Sequence, residues 1–192
     1  MTIVPAFDIG IWNAWILWVV MFLAMMVPDF FMSREAKERT KRAMQFVPVT
    51  GIKKALAYST HTVIMPAAAI YSIFLPLKIG TAWLYAGLPI FALGIVMTVM
   101  ITISFATTPA DKPVTKWFYR ISRNPIYLSA ALMYLGMGIA CASWVFMLCA
   151  VLWIVFLNLA IPAEERALIA QYGDAYRKYM SKTPRWLGIP KS

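Results

Sequence analysis

Histidine is almost missing from this chain. His61 is the only one, and just two cysteines, Cys141 and Cys149, accompany it. A transition-metal site needs several imidazole or thiolate donors together, so no metal is expected. Both cysteines fall in an apolar stretch, which argues against a disulfide framework and leaves the redox compartment unread. Acidic residues are also scarce, with 8 Asp and Glu against 18 Lys and Arg. Polar surface is what the chain lacks most: 61% of its residues are hydrophobic, against roughly 45–50% in soluble domains. No cleavable leader is expected, because Asp8 stands where a basic region belongs and the first apolar run is too long.

What is there is a set of long apolar runs, and about 20 such residues cross a bilayer as a helix. We expect an all-α, polytopic membrane protein with five transmembrane helices and a C-terminal amphipathic cytosolic helix. The 192 residues leave room for one membrane domain, residues 1–192. Ile9 to Met32 reads as the first span, with Trp12, Trp15 and Trp18 at a lipid boundary and Asp29 at the far interface. Ile52 to Leu75 is the second, with a kink expected at Pro66 and His61 read as an inter-helix hydrogen-bonding residue. Trp83 to Ala106 is the third, where Ala92 and Gly94 allow a close neighbour. Residues 1–106 thus carry three spans and a basic loop, and 107–192 a second loop, an uncharged hairpin and a tail. The hairpin legs are Ile126 to Ile139 and Ser143 to Ile161, both short for spans.

Charge placement sets the topology. The segment Arg34 to Lys54 carries seven Lys and Arg, Thr107 to Arg123 four and the tail six, while the opposite face has only Lys78. With five spans, all three basic segments share one side, so the N-terminus is expected outside and the tail in the cytosol. The same placement explains the net charge of +10 without nucleic acid, for which no basic motif with interleaved aromatics is present. Membrane lipids are the expected surroundings, and the basic loop from Arg34 reads as a short helix lying on them.

Both feet of the hairpin then meet at the cytosolic boundary, where they are expected to form a cofactor pocket. One foot is Arg123-Asn124-Pro125-Ile126-Tyr127. Asn124 should be extended before proline and cap the helix that Pro125 starts. Arg123 adds a donor-rich cation beside that helix start, a place for a carboxylate or phosphate. At the other foot Pro162 is expected to break the last span, so that Glu164 and Glu165 open a new helix. Adjacent carboxylates at a bilayer edge are costly to desolvate unless they face a cation or a hydroxyl-bearing ligand. Leu168, Tyr172, Tyr176 and Tyr179 recur at helical spacing and share a face. That face is either a membrane-lying stripe or an aromatic wall for a purine or a sulfonium.

Arg-Asn-Pro-x-Tyr, the hairpin, Glu-Glu-x-x-Leu, Tyr-Gly-x-x-Tyr-x-x-Tyr and Pro184-Arg185-Trp186, in this order, span about Trp117 to Pro190. Together they resemble the isoprenylcysteine carboxyl methyltransferase and phospholipid methyltransferase superfamily. The resemblance implies a small multi-pass enzyme using S-adenosylmethionine, with S-adenosylhomocysteine as product, on a lipophilic acceptor. It places Arg123, Asn124, Pro125 and Tyr127 on one side of the cofactor and Glu164, Glu165, Tyr172 and Tyr176 on the other, with Arg123 and Glu165 as the catalytic pair. Asn124 differs from the histidine often found there in the carboxyl methyltransferases and matches many phospholipid-type members. A carboxylate acceptor would need only Arg123 to orient it, whereas an amine would need a base, Glu165 or Tyr127. A membrane sterol reductase using NADPH, with Arg166, Arg177 and Lys178 on its 2′-phosphate, is the rival enzyme. A lipid-binding protein without catalysis is the second alternative.

Overall fold

The computed structural model describes residues 8–43, 60–109 and 111–189. Their regular structure is entirely helical: α1 Trp15–Phe31, α2 Arg34–Ala43, α3 Met65–Ile73, α4 Ala82–Thr107, α5 Pro125–Ala140, α6 Trp144–Tyr172 and α7 Asp174–Lys182. A π turn, Thr60–Ile64, leads into α3, and a 3₁₀ turn, Trp117–Arg120, precedes α5. Pro66 sits in the first turn of α3, just after the π turn, a position that a proline tolerates because the nitrogen there needs no helical partner. The first part of the second expected span, with Lys53 and Lys54, lies outside the described residues. So do the side chains of His61 and Asp29.

α4 fits its expected bounds to within a residue at each end. Its 26 residues rise about 39 Å, enough for a hydrocarbon core of about 30 Å. Among the described residues it is the only helix long and apolar enough to cross a membrane. The apolar stretches of α1, α3, α5 and α6 are shorter.

α4 and α5 lie with their backbones in direct contact. A Cβ added at Gly136 would stand 2.5 Å from the Phe91 amide nitrogen, and one at Gly94 would stand 2.8 Å from the Ser129 carbonyl oxygen. Only glycine permits that approach. Thr98 Oγ1 donates to Ser129 Oγ at 3.2 Å across the same seam. Ala92, expected to share the close-contact role, faces outward, because two positions on a 3.6-residue helix put it about 200° from Gly94. Around Phe91, Met137 and Phe146 a core of Trp18, Tyr71, Tyr134 and Trp153 joins α1, α3, α5 and α6.

Backbone bonds fix which helix ends coincide. Leu77 N donates to Trp12 O, Ala14 N to Leu75 O and Lys78 N to Ala140 O. The start of α1, the end of α3, the start of α4 and the hairpin tip therefore gather at one pole. Ser143 N to Gly138 O, 2.7 Å, closes that tip. The end of α4, the start of α5 and the far end of α6 form the other pole.

Pro162 does not break the last helix, contrary to the expectation. It lies inside α6, which continues to Tyr172. A proline removes one backbone bond and crowds the preceding turn. Here the flanking Ile161 and Ala163 are buried, and side-chain contacts of the next two residues hold the helix on course. Glu164 and Glu165 are therefore interior to α6 and gain nothing from a helix N-terminus. The twenty residue-to-residue steps of α helix from Trp144 to Glu164 rise about 30 Å, one hydrocarbon thickness. α6 ends at Gly173, whose φ of +56° suits a residue without a Cβ. α7 starts after this break, so Tyr172 and Tyr176 stand on two helices and not on one.

Candidate active site

The residues after α7 fold back to fasten the foot of α5. Arg123 N donates to Pro184 O at 2.9 Å, and Gly188 N donates to Ile121 O at 3.1 Å. Asn124 Nδ2 donates to Arg185 O at 3.0 Å, while Asn124 N donates to Ser122 Oγ at 3.1 Å. Asn124 consequently does not cap α5 with its side chain, against expectation, because the Arg185 carbonyl takes its amide. Its backbone, at φ −127° and ψ 51°, leaves the α region as a residue before proline must, but stops short of fully extended. Pro125 occupies the first turn of α5 as expected. Tyr179 supports the same segment from α7, donating its hydroxyl to Tyr119 O at 2.7 Å and Ser122 O at 3.3 Å.

Onto this scaffold the second foot delivers its carboxylates. Arg123 Nη1 meets Glu165 Oε1 at 3.1 Å. Arg185 Nη2 meets Glu165 Oε2 at 2.6 Å, and its Nε reaches Oε1 at 3.3 Å. Glu165 is thus a buried anion gripped by two guanidinium groups, one through a fork. The three charges sum to a surplus cation. Arg123 is almost enclosed, and its Nε has no partner among the described residues. Arg185 is less enclosed, with 41% of its side chain exposed to solvent. A surplus cation with an idle buried donor is an acceptor site for an anion.

Glu164 has a different partner, accepting a short hydrogen bond from the Tyr127 hydroxyl. Burial raises its proton affinity above that of an ordinary carboxyl, the bond from Tyr127 lowers it, and the neighbouring Glu165 raises it again. Tyr176 is buried close to both feet. Its phenol is pushed up to about 12, by burial first and then by Glu165, against the lowering pull of Arg123. Tyr172 also packs into the aromatic cluster of Tyr119, Tyr176 and Tyr179, but its acidic neighbour is Asp111 and not the glutamates.

The structure therefore joins Arg123, Asn124, Glu164, Glu165, Tyr127 and Tyr176 and leaves Tyr172 at the edge. It adds Arg185 and Ser122, which sequence reasoning did not place in the site, while Tyr179, expected on the aromatic face, turns its hydroxyl to the backbone of Tyr119 and Ser122. The available signal was Pro-Arg-Trp, a motif whose arginine lies 20 residues past Glu165 and has to fold back to reach it. Beyond Tyr127 an apolar groove of about 600 Å³ runs between α5 and α6, lined by Leu128, Leu132, Leu135, Trp144, Leu148 and Val151 among others. Among the described residues no three His, Cys, Asp or Glu side chains gather as a metal site.

No curated protein matches the chain. Residues 82–175 match the family model described as phospholipid methyltransferase, a stretch that contains α4, the foot of α5, the hairpin and both glutamates. Over residues 82–175 the chain matches a family of the isoprenylcysteine carboxyl methyltransferase and phospholipid methyltransferase superfamily of membrane methyltransferases.

Proposed function

We propose that the protein is an S-adenosylmethionine-dependent methyltransferase acting on a lipophilic acceptor at the cytosolic membrane face. The observation that supports this most is the Arg123–Glu165–Arg185 cluster, whose net positive charge and idle Arg123 Nε suit the carboxylate of an amino-acid cofactor. Glu164 and the Tyr127 hydroxyl suit its hydroxyls or ammonium, and Tyr176 offers an aromatic face to a sulfonium. When bound, that cofactor supplies an electrophilic methyl group, and the protein contributes orientation and electrostatics. The groove between α5 and α6 starts at Leu128, beside Tyr127, and suits a hydrocarbon tail entering from the bilayer.

Arg123 and Arg185 orient an anion and between them engage both oxygens of Glu165. That makes Glu165 a clamp in this proposal, with no oxygen left free to take a proton from the acceptor. Tyr127 donates its proton toward Glu164, so it is also poorly placed to receive one. For an amine acceptor the base is then Glu164, which burial makes more basic. For a carboxylate acceptor no base is required.

The test is calorimetry with S-adenosylhomocysteine on the detergent-solubilised full chain, with NADPH as comparison. Binding of S-adenosylhomocysteine and none of NADPH is expected. Arg123→Ala should weaken it about 10–100-fold, the loss of one charge-assisted contact. Binding of NADPH alone would transfer the chain to reductase chemistry. Arg177, one of the cations suggested for that cofactor, is instead paired with Asp174 at 2.8 Å.

A further inference from the structure

Away from the glutamates, a second recess opens between the 3₁₀ turn and α7. It has a volume of about 370 Å³ and is lined by Thr115, Arg120, Lys178, Tyr179, Lys182 and Thr183. Three cations come from two separate elements, and no carboxylate is among the lining residues. Arg120, Lys178 and Lys182 form no ion pair among the described residues, whereas Arg177 on the same helix does. Two threonines add hydroxyl groups, and the Tyr179 ring belongs to the wall. Like charges held this close repel, and an anion with several oxygen acceptors relieves that repulsion.

The rim separates a lipid phosphate from a dissolved one. Trp117, in the same 3₁₀ turn as Arg120, is 46% exposed. Leu187 and Ile189 are 66% and 90% exposed, and the Gly188 bond to Ile121 tethers them beside that turn. Exposed indole and aliphatic groups around a cationic recess fit the boundary between headgroups and acyl chains. α7 is amphipathic in the same sense, with Tyr176 and Tyr179 buried inward and Arg177, Lys178 and Lys182 outward.

We propose that this recess binds the phosphate of an anionic phospholipid headgroup, as a site separate from the candidate active site. Each cation near a bilayer surface is worth about fivefold in affinity, so losing two of them predicts about a thirtyfold loss. The experiment titrates the full chain in neutral detergent with dioleoylphosphatidylglycerol or dioleoylphosphatidylcholine and counts bound lipid by native mass spectrometry. Phosphatidylglycerol should bind at least about tenfold more tightly than phosphatidylcholine, and K178S/K182S should abolish the preference. R166S/R177S, which removes the same charge from exposed positions outside the recess, should preserve it. Equal losses in the two double variants would reduce the effect to bulk charge and overturn the site. Equal binding of both lipids by the unaltered chain would overturn it too. Displacement of the lipid by millimolar inorganic phosphate would show a recess for free phosphate and reject the lipid assignment. The readout involves no methyl transfer, so it stands or falls apart from the proposed activity.

Discussion

Glu165 lies between the guanidinium groups of Arg123 and Arg185, whereas Glu164 accepts a hydrogen bond from Tyr127. The adjacent carboxyls therefore have different partners, and it is Glu164 whose pH response can be followed. Burial raises the Glu164 affinity for a proton above the ordinary carboxyl value of 4.5. Below that value the folded and unfolded chains are both protonated there, and its contribution to stability is intact. As pH climbs through the raised value, the unfolded chain has already ionised and the folded one must follow at a cost, so stability falls. Glu164→Gln keeps an acceptor for Tyr127 and removes the ionisation. Its unfolding temperature in detergent, measured from pH 4 to 8, should gain steadily on that of the unaltered chain across this window. A parallel pair of curves would mean that Glu164 does not carry the raised affinity. At this scale the sequence revealed Arg123 and the glutamates, because charges flanking an uncharged hairpin must share a boundary. Arg185 and the true partner of Asn124 were hidden, since both depend on the tail folding back, over 20 residues to reach Glu165 and over 61 to reach Asn124.

The seam between α4 and α5 is where element geometry is most constrained. Its bounds and its glycines were readable from hydropathy and residue size, but the register was not, since Ala92 and Gly94 look alike as small residues and point to different faces. Placing a methyl group at Gly136 gains about 1 kcal/mol of helix propensity. It also drives a carbon to 2.5 Å from the Phe91 amide, where backbone and not a flexible side chain must yield. Overpacking of this kind costs about 1–3 kcal/mol or more, so the steric term wins. Gly136→Ala should lower the unfolding temperature by about 2–4 °C for each net kcal/mol, while Ala92→Leu on the outward face should leave it unchanged. Equal behaviour of the two would mean that α4 and α5 are not in backbone contact. Pro162 was misjudged at this same scale. A proline is a strong stop signal in isolation, yet the burial of Ile161 and Ala163 and the grip on Glu165 outweigh one missing backbone bond.

The two poles carry the molecule-wide argument. Asn13 Nδ2 donates to Asp8 O and Ile73 O, at 2.6 and 2.7 Å, which ties the N-terminal residues to the pole of the hairpin tip. Arg123, Glu165 and the tail hold the opposite pole, where Lys112, Lys116, Arg120, Lys178 and Lys182 also lie. Lys78 is the single Lys or Arg of the loop between α3 and α4 at the hairpin-tip pole. A segregation this strong is the charge bias that orients membrane proteins, and the positive-inside rule predicts the tail in the cytosol and the start of α1 outside. The distance from Trp144 to Glu164, about one hydrocarbon thickness, agrees with poles on opposite faces of a bilayer. In a background with Cys141 and Cys149 replaced by alanine, Ile9→Cys should react with a membrane-impermeant maleimide added to intact cells. Ser181→Cys should react only in inverted vesicles. Both positions are exposed in the fold, so a failure to react reports the membrane and not burial. Reaction of both from the same side would set the poles on one face and remove the proposed cytosolic cofactor pocket with them.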